Sequence, residues 1–305
     1  MTPRARLRVR AGAALTALAL AAAACGGGAA PAHESAPVTH PALWYDDATF
    51  FASVRNAAAA PAPVGAVAGG IIPHDWLGGR YIAWLFRALA AGDPPDTVIL
   101  IGPNHDNEGH AGALTSALPW ATPFGAVQPD RERIDRLLAG GLVTIDEPVL
   151  TTEHSVGGIM PAIAYYLPGA RVVPVIIRGD ASPADARRLA GALAAQLDGD
   201  TVLVAAVDFS HDLVQRAAER NNSVTLNALR AGDSATLFTL NNRYLDSPES
   251  IAVMMEAMAA LGAGPFVLAA DANSAGLRGD ELAPTTSYLV GYYPSPPLAP
   301  ASLER

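Results

Sequence analysis

The sequence predicts a single α/β domain with a largely parallel central sheet covered by helices. Short, almost wholly apolar runs such as 96–101 (DTVILI) and 201–207 (TVLVAAV) alternate with amphipathic stretches. Runs of that kind are the strands buried on both faces of a parallel sheet. Half of the 305 residues are hydrophobic and only 16% are charged. That is enough apolar material for one large core, and it excludes a disordered chain.

The elements follow in order. Val64–Ile72 is an apolar, glycine-bearing strand, and Arg80–Ala91 is an amphipathic helix that ends at Gly92. Asp96–Ile101 is the next strand. Asp130–Ala139 is a helix stopped by Gly140-Gly141, since glycine is favoured just past a helix end. Arg171–Ile177 (RVVPVII) is a buried strand in which Pro174 points to an edge or a bulge, because proline has no N–H for the ladder. Ser182-Pro183-Ala184-Asp185 opens a helix, with serine as cap, proline in the first turn and a carboxylate behind it. Thr201–Val207 is a strand and Leu213–Arg230 a helix. Ser247-Pro248-Glu249 caps a further helix that runs through Met254, Met255 and Met258 to Gly262. Pro265–Ala270 and Ser287–Tyr293 close as strands. No boundary stands out inside 43–295, so that stretch is one domain.

The N-terminal residues read differently. Arg4, Arg6, Arg8 and Arg10 precede an apolar Ala/Leu run, which ends at Ala22-Ala23-Ala24-Cys25-Gly26. A basic segment, a short apolar segment and a small-residue cleavage site describe an export signal, whereas a membrane span needs about 20 apolar residues. Ala-Ala-Cys further resembles the lipobox of bacterial lipoproteins, in which the cysteine is lipidated. On that reading residues 1–25 are the signal, Cys25 carries the lipid, and the protein sits at the outer face of the bacterial cell membrane. Simple cleavage and an uncleaved anchor are the two other readings. Residues 26–42, rich in Gly, Ala, Pro, Ser and Thr, read as a flexible tether. His33 and His40 are then solvated linker residues, and 296–305 is a C-terminal tail. Cys25 is the sole cysteine, so the domain beyond it is held without disulfides. The formal net charge of −9 argues against a nucleic-acid partner, which requires a basic face.

The remaining five histidines are not scattered. His74 follows the first strand, His105 the second (Gly102-Pro103-Asn104-His105), and His211 the Thr201–Val207 strand (Asp208-Phe209-Ser210-His211). In open α/β sheets, ligands bind outside the carboxyl ends of the strands. Histidines from three βα units therefore converge at one edge. His154 precedes a helix in Glu153-His154-Ser155, and His110 lies beyond His105. Two or three imidazoles with a carboxylate suit Fe(II), Zn or Cu, and ligands drawn from different loops leave open coordination positions. The carboxylates on offer are Asp75, Asp106, Glu153 and Asp208. Glu153 and Asp208 have the better claim, each being close in sequence to a histidine whose ring it could orient. There is no Walker A motif, no G-x-G-x-x-G and no G-x-S-x-G elbow in the chain.

Taken in this order, Ile72-Pro73-His74, Gly102-Pro103-Asn104-His105, Glu153-His154-Ser155 and Asp208-Phe209-Ser210-His211 resemble the Memo-like family, whose bacterial members are called AmmeMemoRadiSam system protein B. The resemblance runs from about 64 to 293. It implies a fold similar to that of class III extradiol dioxygenases, which hold non-haem Fe(II) with two histidines and a carboxylate. His74 and His105 then match the metal-binding histidines, and His211 and Asp208 match a histidine and an aspartate lining the same pocket. His154 and Glu153 match the E-H-S motif. The chain departs from the family at Pro73-His74-Asp75-Trp76-Leu77, where P-H-A-G-Y is usual. It also lacks the family's late cysteine, with Leu261-Gly262-Ala263-Gly264-Pro265 and Asp271-Ala272-Asn273-Ser274 in that region. Asp75 is then a candidate third ligand.

Three readings of function remain open at this level. The first is a metal-dependent, dioxygenase-like enzyme acting on a small molecule, with His211 as acid/base oriented by Asp208. The second is a metal-dependent hydrolase, with Glu153 or Asp208 as base. The third is a non-catalytic lipoprotein that binds a metal or a small ligand.

Overall fold

A computed structural model describes residues 38–57 and 61–296. Cys25, the signal sequence and the tether up to Pro37 lie outside the described residues, as does the tail from 297. From Val38 onward the chain forms one unit. It begins with β1 (His40–Pro41), α1 (Asp47–Asn56), β2 (Val67–Ile72), α2 (Gly79–Ala91) and β3 (Thr97–Pro103). Short elements follow: β4 (Ala113–Thr115), β5 (Trp120–Thr122), β6 (Gly125–Pro129), α3 (Arg131–Ala139), β7 (Thr144–Ile145), α4 (Glu147–Thr152), α5 (His154–Gly157) and α6 (Met160–Tyr166). The second half carries β8 (Arg171–Ile177), α7 (Pro183–Ala194), β9 (Thr201–Ala206), α8 (Gln215–Ala231) and α9 (Ser234–Leu237). It closes with α10 (Pro248–Leu261), β10 (Val267–Asn273), α11 (Ser274–Arg278) and β11 (Ser287–Pro294).

The strands make one mixed sheet in the order β1-β5-β6-β8-β3-β9-β2-β11-β10, with β4 and β7 off this path. Its centre, β6-β8-β3-β9-β2, is parallel, and β11 and β10 add to β2 antiparallel. Alternate residues of each central strand face opposite layers. Ile99, Ile101, Leu203 and Ala205 pack with the α7 and α10 side chains, whereas Val98, Leu100, Val202 and Val204 pack with α2 and α6. Both layers are apolar, which is why these strands read as unbroken hydrophobic runs. Two helices press on β2 from opposite sides. A Cβ on Gly70 would lie 2.5 Å from the Leu85 side chain, and one on Gly69 would lie 2.8 Å from Met258 Sδ.

The caps form as expected. Ser182 Oγ accepts from the Asp185 amide at the start of α7, and α10 ends at Gly262 in the left-handed conformation, φ +74°. Two expectations need correction. Pro174 is neither at an edge nor in a bulge. β8 is paired on both sides, and Pro174 falls where β6 stops, opposite Val172, and before β4 begins, opposite Val175. The missing N–H is placed where no partner strand asks for it. His40 is not a solvated linker residue, because β1 pairs with β5 and the His40 ring is 1% exposed. The folded body therefore reaches back through 38–42, into what the composition marks as tether.

Candidate metal centre

The adjacent parallel strands β3, β9 and β2 deliver His105, Asp208 and His74 to one edge of the sheet. The E-H-S segment docks against the end of β3 because Gly102 has no side chain: a Cβ there would lie 2.8 Å from Ser155 Oγ. Ser155 Oγ donates to Pro103 O at 2.9 Å, which fixes α5 on the strand end. His154 comes to lie on His105, ring centroids 4.1 Å apart and 21° from parallel, with His74 edge-on to both at 5.0 and 5.2 Å.

A fourth segment completes the cluster. An isolated bridge between Phe209 and Leu245, and the Asp246 amide donating to Asp208 O at 3.0 Å, bring Asp246 to the histidines. Asp246 Oδ2 lies 3.4 Å from His74 Nε2 and 3.8 Å from His105 Nε2, and its side chain is 4% exposed. Asp246 Oδ1 is buried without a hydrogen-bond partner.

Each imidazole that faces Asp246 is oriented from behind. His74 Nδ1 donates to Ala206 O at 3.1 Å. His105 Nδ1 donates to Glu153 Oε1 at 2.9 Å, and the other Glu153 oxygen accepts the His105 amide at 2.9 Å. Both Nε2 atoms are left pointing at the same carboxylate oxygen. This is the usual supporting arrangement for ligating histidines, whose second nitrogen is tied to a carboxylate or carbonyl. Glu153 therefore orients His105, not its neighbour His154, whose Nδ1 lies 3.6 Å from the same oxygen.

Asp208 also does something other than expected. Its Oδ1 accepts the His74 amide at 3.1 Å and the Asp75 amide at 3.5 Å, and its Oδ2 lies 3.5 Å from His74 Nε2. No hydrogen bond joins it to His211. Carboxylate and imidazole three residues apart on this turn point to different groups, so Asp208 supports His74 instead. His211 Nδ1 is buried and unpartnered, and the charges that act most on its ring are those of Asp246 and His74. Asp75 is not a ligand candidate. One of its oxygens caps the Leu77 amide at 2.9 Å and the other accepts the Tyr288 hydroxyl at 2.6 Å. Asp106 and His110 lie exposed on the loop beyond His105.

The electrostatics follow from burial and from the paired carboxylates. Burial works against charge on His105, but Asp246 and Glu153 outweigh it and raise its pKa to about 10. Burial likewise opposes the Glu153 anion, yet the His105 ring and the amides of Ser155 and His105 bring it down to about 2. His154 is pushed down to about 4 by burial and by the positive fields of His105 and His74. Burial lowers His211 and raises Asp208. The carboxylates thus stabilise positive charge on His105, while the His154 and His211 rings stay neutral.

Two sets of side chains bring their ligand atoms within 4.8 Å of one another: His74, His105 and His154, and His74, Asp208 and Asp246. These groups could hold a metal ion. Donors bound at about 2.0–2.1 Å in a tetrahedral site sit about 3.3 Å apart, close to the 3.4 and 3.8 Å that separate Asp246 Oδ2 from the two imidazoles. The orphaned Asp246 oxygen and the two free Nε2 atoms therefore suit a bound cation.

The sequence profile of the Memo-like protein family matches residues 49–292. The chain belongs to that family. A MEMO1 family protein of Methanopyrus kandleri is 30% identical over 234 residues, covering 73% of this chain and 81% of its own length. MEMO1 family proteins of Pyrobaculum aerophilum and Pyrobaculum arsenaticum are 28% and 33% identical, and the matched stretch spans just under two thirds of each, 66% and 64%. The crystal structure of the uncharacterized protein JW3007 from Escherichia coli K12 superposes with a TM-score of 0.50 at 16% identity, covering 73% of this chain and all of that one. That likeness supports the Memo-like fold.

Neither region considered for a late ligand in place of the family's cysteine joins the groups around the histidines. Leu261 ends α10, and Asp271 accepts from Asn222 at 2.7 Å. The late carboxylate that lies beside His74 and His105 is Asp246, one residue before the Ser247 cap of α10. Trp44 is a second residue that sequence reasoning missed. It is 62% exposed, stacks on His154 at 3.8 Å and 22°, and has φ +55°. A left-handed conformation costs a side-chain-bearing residue about 1–2 kcal/mol.

Proposed function

We propose that this Memo-like protein is a metal-dependent enzyme whose centre is made by His74, His105 and Asp246. The observation that carries the reading is the single Asp246 oxygen faced by both free imidazole nitrogens, at 3.4 and 3.8 Å. Two histidines and one carboxylate form the donor set of non-haem Fe(II) oxygenases, with Zn and Cu as alternative occupants. A metal held there supplies Lewis acidity and open positions for substrate.

The chain's own residues supply the rest. Glu153 and the Ala206 carbonyl fix the tautomers of His105 and His74. Asp208 holds the turn that carries His74. The neutral His211 ring, with an unpartnered Nδ1, is suited to take up or deliver a proton. His154 walls the site. The substrate is a small molecule, and dioxygenase-like chemistry is the first reading. In the same proposal the protein is exported and anchored through a lipid on Cys25 at the outer face of the membrane. Among the described residues no helix is long and apolar enough to cross a membrane.

Elemental analysis of the full-length protein, purified without added metal, tests the centre against a His74→Ala/His105→Ala variant. About one equivalent of a transition metal in the parent and none in the variant is expected. A parent that is metal-free and takes up no Fe(II), Zn or Cu on titration overturns the reading. Oxygen dependence then separates an oxygenase from a hydrolase, which turns over unchanged without O2.

A further inference from the structure

Between Val38 and α1 the chain crosses from the outer sheet to the histidine cluster. Its backbone is tied at three points: the His40 amide to Pro119 O at 2.8 Å, Ala42 to Ala121 O at 3.1 Å, and Leu43 to Gly157 O at 3.4 Å. Gly157 belongs to the helix that opens with His154, and a Cβ on it would lie 3.1 Å from the Leu43 side chain. The outer end is clasped by His40. Its Nε2 lies 2.7 Å from Ser116 Oγ and 2.9 Å from Glu147 Oε2, and its Nδ1 lies 2.9 Å from Thr151 Oγ1. The His40 ring also packs on Trp120, centroids 4.4 Å apart. At the inner end Trp44 lies flat on His154, which lies flat on His105.

Trp44 is mostly exposed and sits in a backbone conformation unfavourable for a bulky residue. Such strain persists where surrounding contacts over-determine it. Here the ties on either side are the clasp at His40 and the α1 helix, which Asp46 caps through the Thr49 amide at 3.0 Å.

We infer that His40–Tyr45 is a strap, and that the His40–Glu147 clasp holds Trp44 on His154. His40 and Trp44 are then positioning residues for His154. The Trp44 ring keeps the imidazole parallel to His105 and closes its outer face to solvent. This concerns the strap itself and stands whichever ion, or none, the cluster holds.

The test uses full-length protein with isotope-labelled histidine, at one fixed pH and without added metal. The His154 Cε1–H signal is identified by its absence in His154→Gln. Trp44→Ala removes the stacked ring and moves that signal downfield. His40→Ala moves it in the same direction, although His40 does not touch His154. It also raises amide exchange at Ala42 and Leu43 by about tenfold or more, as for a segment released from local protection. Thr151→Val, a milder cut at the same clasp, gives a smaller shift of the same sign and serves if His40→Ala does not fold. Ile134→Val, a core change on the opposite layer, leaves the signal in place. A His154 signal that Trp44→Ala moves and both clasp variants leave fixed overturns the clasp. A signal that no variant moves overturns the stack.

Discussion

His40 and His105 are each held by a glutamate at 2.9 Å, yet the two surroundings differ. Around His40 every polar side-chain atom of His40, Ser116, Glu147 and Thr151 has a partner, although the indole N–H of Trp120 against the ring has none, and the ring is 1% exposed. Around His105 the groups converge without satisfying one another. Its Nε2 is 3.8 Å from Asp246, and Asp246 Oδ1 and His211 Nδ1 have no partner. The His105 ring is 28% exposed and can be reached. A buried histidine whose bonds are complete is part of the structure. Buried donors and acceptors left incomplete around an accessible ring are what the proposed metal centre would satisfy.

The strongest way to break this contrast is Asp246→Ala. If the carboxylate is a ligand, titration should show metal affinity down by more than about a hundredfold, beyond the 10–100-fold typical of supporting groups. A loss under threefold would return Asp246 to a structural role. The same carboxylate-to-amide change in each region sharpens the comparison. Glu153→Gln should weaken metal binding by about 10–100-fold, because the His105 tautomer is no longer fixed. Glu147→Gln should instead cost about 1–3 kcal/mol in chemical denaturation and leave metal affinity within about threefold. Equal effects of the two variants on metal affinity would erase the distinction.

The smallest effect is on pH dependence. In the metal-free protein Glu153 is depressed to about 2, so its contribution is present above its usual 4.5 and is lost as pH falls through about 2. His105 is raised to about 10, so its contribution is full below 6.5 and is lost as pH rises through about 10. The stability difference between parent and Glu153→Gln should therefore hold between about pH 4.5 and 6.5 and shrink on either side. Saturating metal, which replaces the proton on His105, should flatten the alkaline limb. A difference that is constant from pH 3 to 10 would rule out the pair.

The contrast also marks what could be read from the sequence. Strands such as Thr97–Pro103 and Thr201–Ala206 are legible because burial on both faces leaves no polar residue in them beyond the leading threonine. His74 and His105 are legible because strand ends of a parallel sheet share an edge. Glu153 is legible from its motif but its partner is not: it bonds a histidine 48 residues away rather than its neighbour. Asp246 had no local signature, since only the Phe209–Leu245 bridge brings it in. His40 was hidden by its Pro/Ala/Thr-rich flanks, while its partner Glu147 lies 107 residues on. Short pairings such as β4 with β7, two residues long, are too brief for periodicity to reveal.

The placement of the three proposed donors bears on the order of events in folding. His74, His105 and Asp246 come from the ends of β2 and β3 and from the approach to α10, far apart along the chain. Distant pairings of this kind carry a large loop-closure cost and form slowly. No fragment shorter than residues 74–246 contains all three. A growing chain therefore lacks the full proposed donor set until Asp246 has been made and the sheet has closed. Intrinsic affinities rank Cu above Zn and both above Fe(II). An ion held by these donors would then depend on what is free where the last strands pair, which would make the place of folding part of the selectivity.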